Sequence, residues 1–243
     1  MNTPETVSSI RVAGLTVQVQ RKAIKNLHLS VLPPDGKVRI AVPQHVTEDA
    51  IRLAVVDKLG WIKRQRLEFQ AQTRQTERRY VSGESHYYLG KAYRLRVEHG
   101  TRQNVTLCGG NRLLLTTRPD SDTATRERTL ARWYRKQLAE QIPPLLQKWH
   151  PKVGKECSRW GIKQMKTKWG SCNTGTGSIW LNLELAKKPP ACLEFILVHE
   201  LVHLHERTHN DKFRGWMDKL MIDWPERRAL LNSSPLAHDE WNY

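Results

Sequence analysis

The sequence predicts an α+β protein: an amino-terminal, antiparallel β-rich part with one long helix over residues 1–120, then a compact helical and hairpin domain over 121–243. Three observations carry this. Short alternating runs bounded by turn residues fill the first part, long helical patterns fill the second, and "RPDSD", Arg118 to Asp122, has the composition of a boundary between them. The 243 residues are 39% hydrophobic and 26% charged, which is enough apolar material for real cores in a soluble globular chain.

In order along the chain, "IRVAGLTVQVQ", "IKNLHLSVL" and "KVRIAVP" read as strands, with Pro-Asp-Gly supplying the turn before the last. Thr47 is placed to cap a helix running to about Gln72, in which Ile51, Val55, Leu59 and Ile62 recur every three or four residues. Further strands are expected over Tyr87–Val97, Val105–Cys108 and Arg112–Thr117, the last two joined as a hairpin by Gly109-Gly110-Asn111. A basic helix, "TATRERTLARWYRKQLAEQI", follows the boundary and meets two prolines at 143 and 144 that are expected to break or restart it. Between Lys148 and Lys168 lies the densest basic run, read as a solvated face with substrate or nucleic-acid contact as the alternative. "MKTKWGSCNTGTGSIWLNLELAKKPP" has the pattern of a glycine-turned hairpin, and Pro189-Pro190 supplies helix-start residues. The loop "GSCNTGTGS" lacks the lysine and the following helix of a phosphate-cradling loop.

The next helix carries the chemistry. In "FILVHELVHLHERTHN" the apolar residues cover nearly the whole circumference, so the helix is interior. At 100° per residue, His199, His203 and Glu206 share one strip with Cys192 and Ile196. Polar groups buried on such a strip need partners, and a metal ion is one. His199 and His203 are one turn apart, as in HExxH, and Glu200 is offset towards the side where water would sit. Three residues compete for the third ligand position. His205 points away; Glu206 lies too far along the axis and suits a supporting role; His209 has the ten-residue spacing from His199 of a third ligand, without the usual glycine before it. Asn210 or Asp211 can cap a following helix whose Phe213, Trp216, Met217 and Leu220 share one face, leaving His209 at the corner.

Forty Lys and Arg against 24 Asp and Glu give a net charge of +16, which suggests an anionic partner or substrate, nucleic acid included. The four cysteines lack CxxC spacing and the opening "MNTPETVSS" is polar, so a cytoplasmic, reducing setting is the expectation. Nothing approaches the ~20 apolar residues of a membrane span.

"KTKWGSC", then "IWLNLELAKKP", then "VHELVHLHERTHNDKFRGWM" resemble the YgjP-like predicted metallopeptidases, relatives of the SprT and WLM groups among the zincins. "VQVQRKAIKNLHLSV", "VRIAVP", "GWIKRQ" and "YLGKAYRLRV" extend the resemblance through most of the chain. The resemblance implies a compact zincin-like catalytic domain with zinc on His199, His203 and His209 and Glu200 as general base, acting on a polypeptide. "SIWLNLEL", Ser178 to Leu185, could then offer a strand edge to substrate, with Trp180, Asn182 and Lys168 as contacts. Two rivals remain: a metal-dependent nucleoside triphosphate pyrophosphatase whose lysines around 163–168 hold the triphosphate, and a non-enzymatic, zinc-stabilised nucleic-acid-binding protein.

Overall fold

The computed structural model describes residues 6–32, 36–71, 78–165 and 168–233. They fall into two compact units, residues 6–71 and residues 78–233. The α+β class holds in both.

In the first unit β1 (Thr6–Val12), β2 (Leu15–Lys22), β3 (His28–Leu32) and β4 (Lys37–Pro43) form one sheet in the order β1-β2-β4-β3. Its outer pairs are antiparallel and its central pair, β2 with β4, is parallel. The run "IRVAGLTVQVQ" is thus a hairpin, not one strand: Ala13 and Gly14 take φ of 47° and 79° and set Val12 opposite Leu15. Alternation along β2 and β4 buries Val17, Val19, Val38, Ile40 and Val42. Ile51 and Val55 of α1 (Glu48–Asp57) and Ile62 of α2 (Leu59–Ala71) join them in one core. Thr47 caps α1 as expected, its hydroxyl accepting from the Ala50 N–H at 3.3 Å. The expected single helix is two, parted at Lys58. Gly60 follows at once, and glycine costs a helix interior about 1 kcal/mol relative to alanine. The expected end at Gln72 and most of the Pro-Asp-Gly turn lie outside the described residues.

The second unit opens with the same topology. β5 (Ser85–Tyr88), β6 (Lys91–His99), β7 (Asn104–Cys108) and β8 (Arg112–Thr117) pair in the order β5-β6-β8-β7, again parallel only in the middle. Leu89 and Gly90, at φ of 49° and 79°, split the expected strand over Tyr87–Val97 into a hairpin. The sheet packs on α3 (Thr123–Val153), to which Tyr134 Oη ties it by donating to the Tyr87 carbonyl at 2.7 Å. Tyr88 Oη donates to Gln137 Oε1 at 2.9 Å. These contacts place the second sheet with the helices, so the compact units divide between residues 71 and 78, whereas the sequence pattern suggested residue 120.

Asp122 caps α3 by accepting from the Thr125 N–H at 2.8 Å. Contrary to expectation the helix continues through Pro143 and Pro144. Proline deprives the carbonyl four residues back of its donor. Both prolines are exposed, so water can take that role, while Leu138, Ile142, Leu146 and Trp149 keep one buried face on either side of them.

A third sheet follows, β9 (Arg159–Lys163), β10 (Gly170–Asn173) and β11 (Ser178–Asn182), in the order β10-β11-β9. The β10–β11 hairpin matches the sequence reading; β9, inside the basic run and parallel to β11, does not appear in it. A 3-10 turn, Leu183–Lys187, leads into α4 (Pro190–Val202), followed by α5 (Asp211–Leu220) and α6 (Trp224–Ser233). The basic run has internal uses. Lys148 pairs with Glu194 of α4 at 2.6 Å, Lys155 donates to the Leu204 carbonyl at 2.6 Å, and Arg159 Nε donates to Ser178 Oγ at 2.9 Å. No helix among the described residues is long and apolar enough to cross a membrane.

Candidate metal centre

α4 is apolar on every side and packs among α3, α6, β10 and β11. His199 and Glu200 lie near its carboxyl end, 8% and 2% exposed. The helix closes at His203, beyond which the Leu204 and His205 N–H groups bond back to the Leu201 and Val202 carbonyls. The chain then turns, and Asn210 starts α5 by accepting from the Phe213 N–H at 3.0 Å. His209, one residue before that cap, swings back over α4.

Three ring nitrogens meet as a result. His209 Nε2 is 2.9 Å from His199 Nε2 and 3.1 Å from His203 Nε2. Three nitrogens each ~2.0–2.1 Å from one tetrahedral ion would be spaced by about 3.3 Å, so the observed spacing is of the size a shared ion requires. The tautomer also suits it. His203 Nδ1 sits 3.0 Å from the Glu206 carbonyl, which can only accept; Nδ1 therefore carries the proton and Nε2 turns a lone pair to the cluster. Burial, then the neighbouring imidazoles and Arg228, pushes the His199 pKa down to about 3. Burial lowers those of His203 and His209 as well, assisted at His209 by His203 and Arg228. All three rings are neutral donors at neutral pH and form a cluster that could hold a metal ion. Phe213 backs them, its ring centroid 4.8–4.9 Å from each imidazole.

A cleft of about 610 Å³ opens over the cluster. The three histidines and Glu200 line it from below, β10 and the following Thr174 from one side, and Lys168 and Arg207 at its rim. β10 runs directly across Glu200: a Cβ on Gly170 would sit 2.5 Å from Glu200 Oε1 and 2.7 Å from its Cγ. Glycine is therefore what allows the strand and the carboxylate to approach so closely. Cys172, on the same face of β10, lines the cleft with its thiol pushed up to about 11 by burial and then by Glu200, which keeps it protonated.

A model of the YgjP-like metallopeptidase domain matches residues 25–234. The chain belongs to the YgjP-like family. No curated protein matches it. The matched YgjP-like domain takes in the histidine cluster, Glu200 and the whole of β10.

Lys168 lines the cleft. Glu206 supports His203, through its main-chain carbonyl; its carboxylate accepts from the Thr208 N–H at 3.3 Å and steadies the turn. Asn182 is fully buried, its amide donating to the Met165 and Lys168 carbonyls at 2.9 and 2.6 Å and its oxygen accepting from the Glu184 N–H at 3.1 Å. It fixes the segment leading into β10 and has no polar group left for a substrate. Trp180 pairs with Ser171 and Gly161, one residue out of phase with Gly170, so it projects from the other face of the sheet, with Lys163 Nζ 3.6 Å from its ring centroid. Ser171, Cys172, Thr174 and Arg207 of the cleft had no signal of their own beyond membership of "GSCNTGTGS" and of the turn after the helix.

Glu194 fastens α4 from behind. It accepts from Lys148 Nζ at 2.6 Å, Trp149 Nε1 at 2.9 Å and Arg227 of α6 at 2.6 Å. Burial alone would raise its pKa, but these bonds prevail and bring it from 4.5 down to about 2. A carboxyl held below its unfolded value stabilises the fold above pH 4.5, and that contribution fades as pH falls towards 2. Screened by the water that reaches the side chain, it amounts to roughly 1–2 kcal/mol. Acid unfolding followed by circular dichroism is expected to show Glu194→Gln less stable at pH 7 and the difference from wild type narrowing below pH ~4.5; a constant difference down to pH ~2 would count against this role.

Proposed function

We propose that this chain is a zinc-dependent peptidase in which His199, His203 and His209 hold the ion and Glu200 is the general base. The convergence of three neutral imidazole nitrogens beside a buried carboxylate, at the floor of an open cleft, supports this reading. An all-nitrogen donor set favours zinc over magnesium or calcium, which take oxygen ligands. Zinc bound there supplies Lewis acidity towards a carbonyl oxygen and lowers the pKa of water towards ~7.

The chain's own residues do the rest. Glu200 accepts the proton released by the attacking water and can return it to the departing amine. The Glu206 carbonyl keeps His203 in its donor tautomer. An extended polypeptide can lie along β10, which is an outer strand of its sheet and borders the cleft. β11, the edge suggested by the sequence, is the central strand, hydrogen-bonded on both sides, and has no free edge to offer.

Lys168 and Arg207 at the rim favour a second reading, hydrolysis of a nucleoside triphosphate held by those two cations. One experiment separates the two. Zinc-loaded protein is incubated with a pool of unfolded proteins and, separately, with nucleoside triphosphates, with Glu200→Gln as the blank. New peptide termini that vanish in the blank are expected. Pyrophosphate release without new termini would replace the peptidase by the pyrophosphatase.

A further inference from the structure

Behind the histidine cluster lies a second hollow, of about 260 Å³, enclosed by α4, α5 and α6. His199 and His209 line both this hollow and the open cleft, so the two spaces border the same two side chains. The walls are Phe195, Phe213, Met217, Trp224 and Leu231. Phe195 and Trp224 stack at 6.5 Å with 14° between their planes, which gives one wall a flat aromatic surface. At the mouth are the exposed side chains of Arg214, Arg228 and Asn232. Among the described residues the lining holds two arginines and no carboxylate, and Arg214 is paired at 3.3 Å with Asp211 of its own helix, outside the lining.

Size and chemistry limit the occupant. Pockets for whole small molecules begin near ~300 Å³, so this one suits a single large side chain. Its walls reward an apolar group with the release of water, and its mouth rewards a negative charge just outside. Resting on the peptidase reading above, we propose that this pocket receives an apolar side chain next to the scissile bond of a polypeptide, and that Arg228 selects for a carboxylate immediately beyond it. The preferred substrate is thus a hydrophobic residue followed by an acidic one, with the remaining chain along β10.

The test uses the full, zinc-loaded chain and two measurements. In the first, 3-phenylpropanoate, an aromatic group with one carboxylate, is titrated into the protein and followed by tryptophan fluorescence, since Trp224 forms part of the wall. Arg228→Glu, which opposes the carboxylate, and Asn232→Trp, which fills the mouth without touching the buried walls, are each expected to weaken binding at least ~10-fold while zinc content stays at the wild-type level. Binding that is absent, or equal in all three proteins, would overturn the pocket assignment. In the second, peptides pairing Phe or Ser with Glu or Lys are compared. The Phe-Glu peptide is expected to be cleaved at least ~10-fold faster than the other three in kcat/KM, and Arg228→Glu to shift the preference to Phe-Lys. Cleavage indifferent to both positions would overturn this inference and leave the peptidase standing. No cleavage of any peptide, with 3-phenylpropanoate still bound, would sink the peptidase reading and the substrate claim with it.

Discussion

The His209→Ala protein is expected to fold normally and to lose zinc. The side chain is exposed and comes from the turn between α4 and α5, so its removal opens no cavity in the core. It nevertheless supplies the nitrogen that lies 2.9 and 3.1 Å from the other two. Loss of a group that merely supports a ligand costs ~10–100-fold in affinity, and loss of a ligand itself is expected to exceed ~100-fold. Metal analysis after dialysis against a weak chelator should therefore fall from one zinc per chain to near none, with an unchanged circular dichroism spectrum. Full zinc content would move the third-ligand role to another residue. His199→Ala is a less clean test, because that ring is buried against Phe195 and Phe213 and its loss would disturb packing as well.

Replacement of Gly170 by alanine is expected to remove most activity without touching the metal. The new methyl would meet Glu200 Oε1 at 2.5 Å, with Cγ and Cδ at 2.7 and 2.8 Å, so the carboxylate or the strand must move. A displacement of about 1 Å at a reacting group can cost ~100-fold in rate. Turnover should drop by that order while zinc stoichiometry stays at one. The decisive comparison is the double variant: in a Glu200→Gln background, Gly170→Ala should lower activity no further, since the group it displaces has already lost its function. Unchanged turnover in Gly170→Ala would show that Glu200 tolerates the methyl and that its exact position does not matter.

The parts of this site that could be read in the sequence are those set by local periodicity. Helical spacing alone places His199, Glu200 and His203 along one buried helix, and the Asn210 cap with its following Phe213 and Met217 places His209 at a corner. What escaped depends on pairing between distant segments. Asn182 sits in a strand pattern with nothing in its neighbourhood to show that its amide would be consumed by Met165 and Lys168. β9 is five residues rich in positive charge, and only its parallel partner β11 makes it a strand. The turns at Ala13-Gly14 and Leu89-Gly90 place a residue other than Asn, Asp or Gly at a positive φ, so the usual hairpin signal was missing from both. The prolines of α3 were misleading because their cost depends on which side of the helix they face, and that is settled by the core on the other side.

Those two hairpins also open two copies of one arrangement, hairpin, parallel crossover and hairpin, each followed by a helix with a capped start. Within a single polypeptide, twin topologies create a hazard during synthesis, since a strand of one copy can be adopted by the other, and exchange of this kind is a common failure of repeat-containing chains. The sequences of the copies provide the safeguard. β3 reads HLSVL where β7 reads NVTLC, and β2 reads LTVQVQRK where β6 reads KAYRLRVEH. The strands of the first copy bury six valines and Ile40; those of the second bury Tyr88, Leu95, Leu113 and Leu115 with one valine, Val105. A misplaced strand would bring side chains of the wrong volume into a close-packed interior, so divergence between the copies keeps each nascent strand with its own sheet.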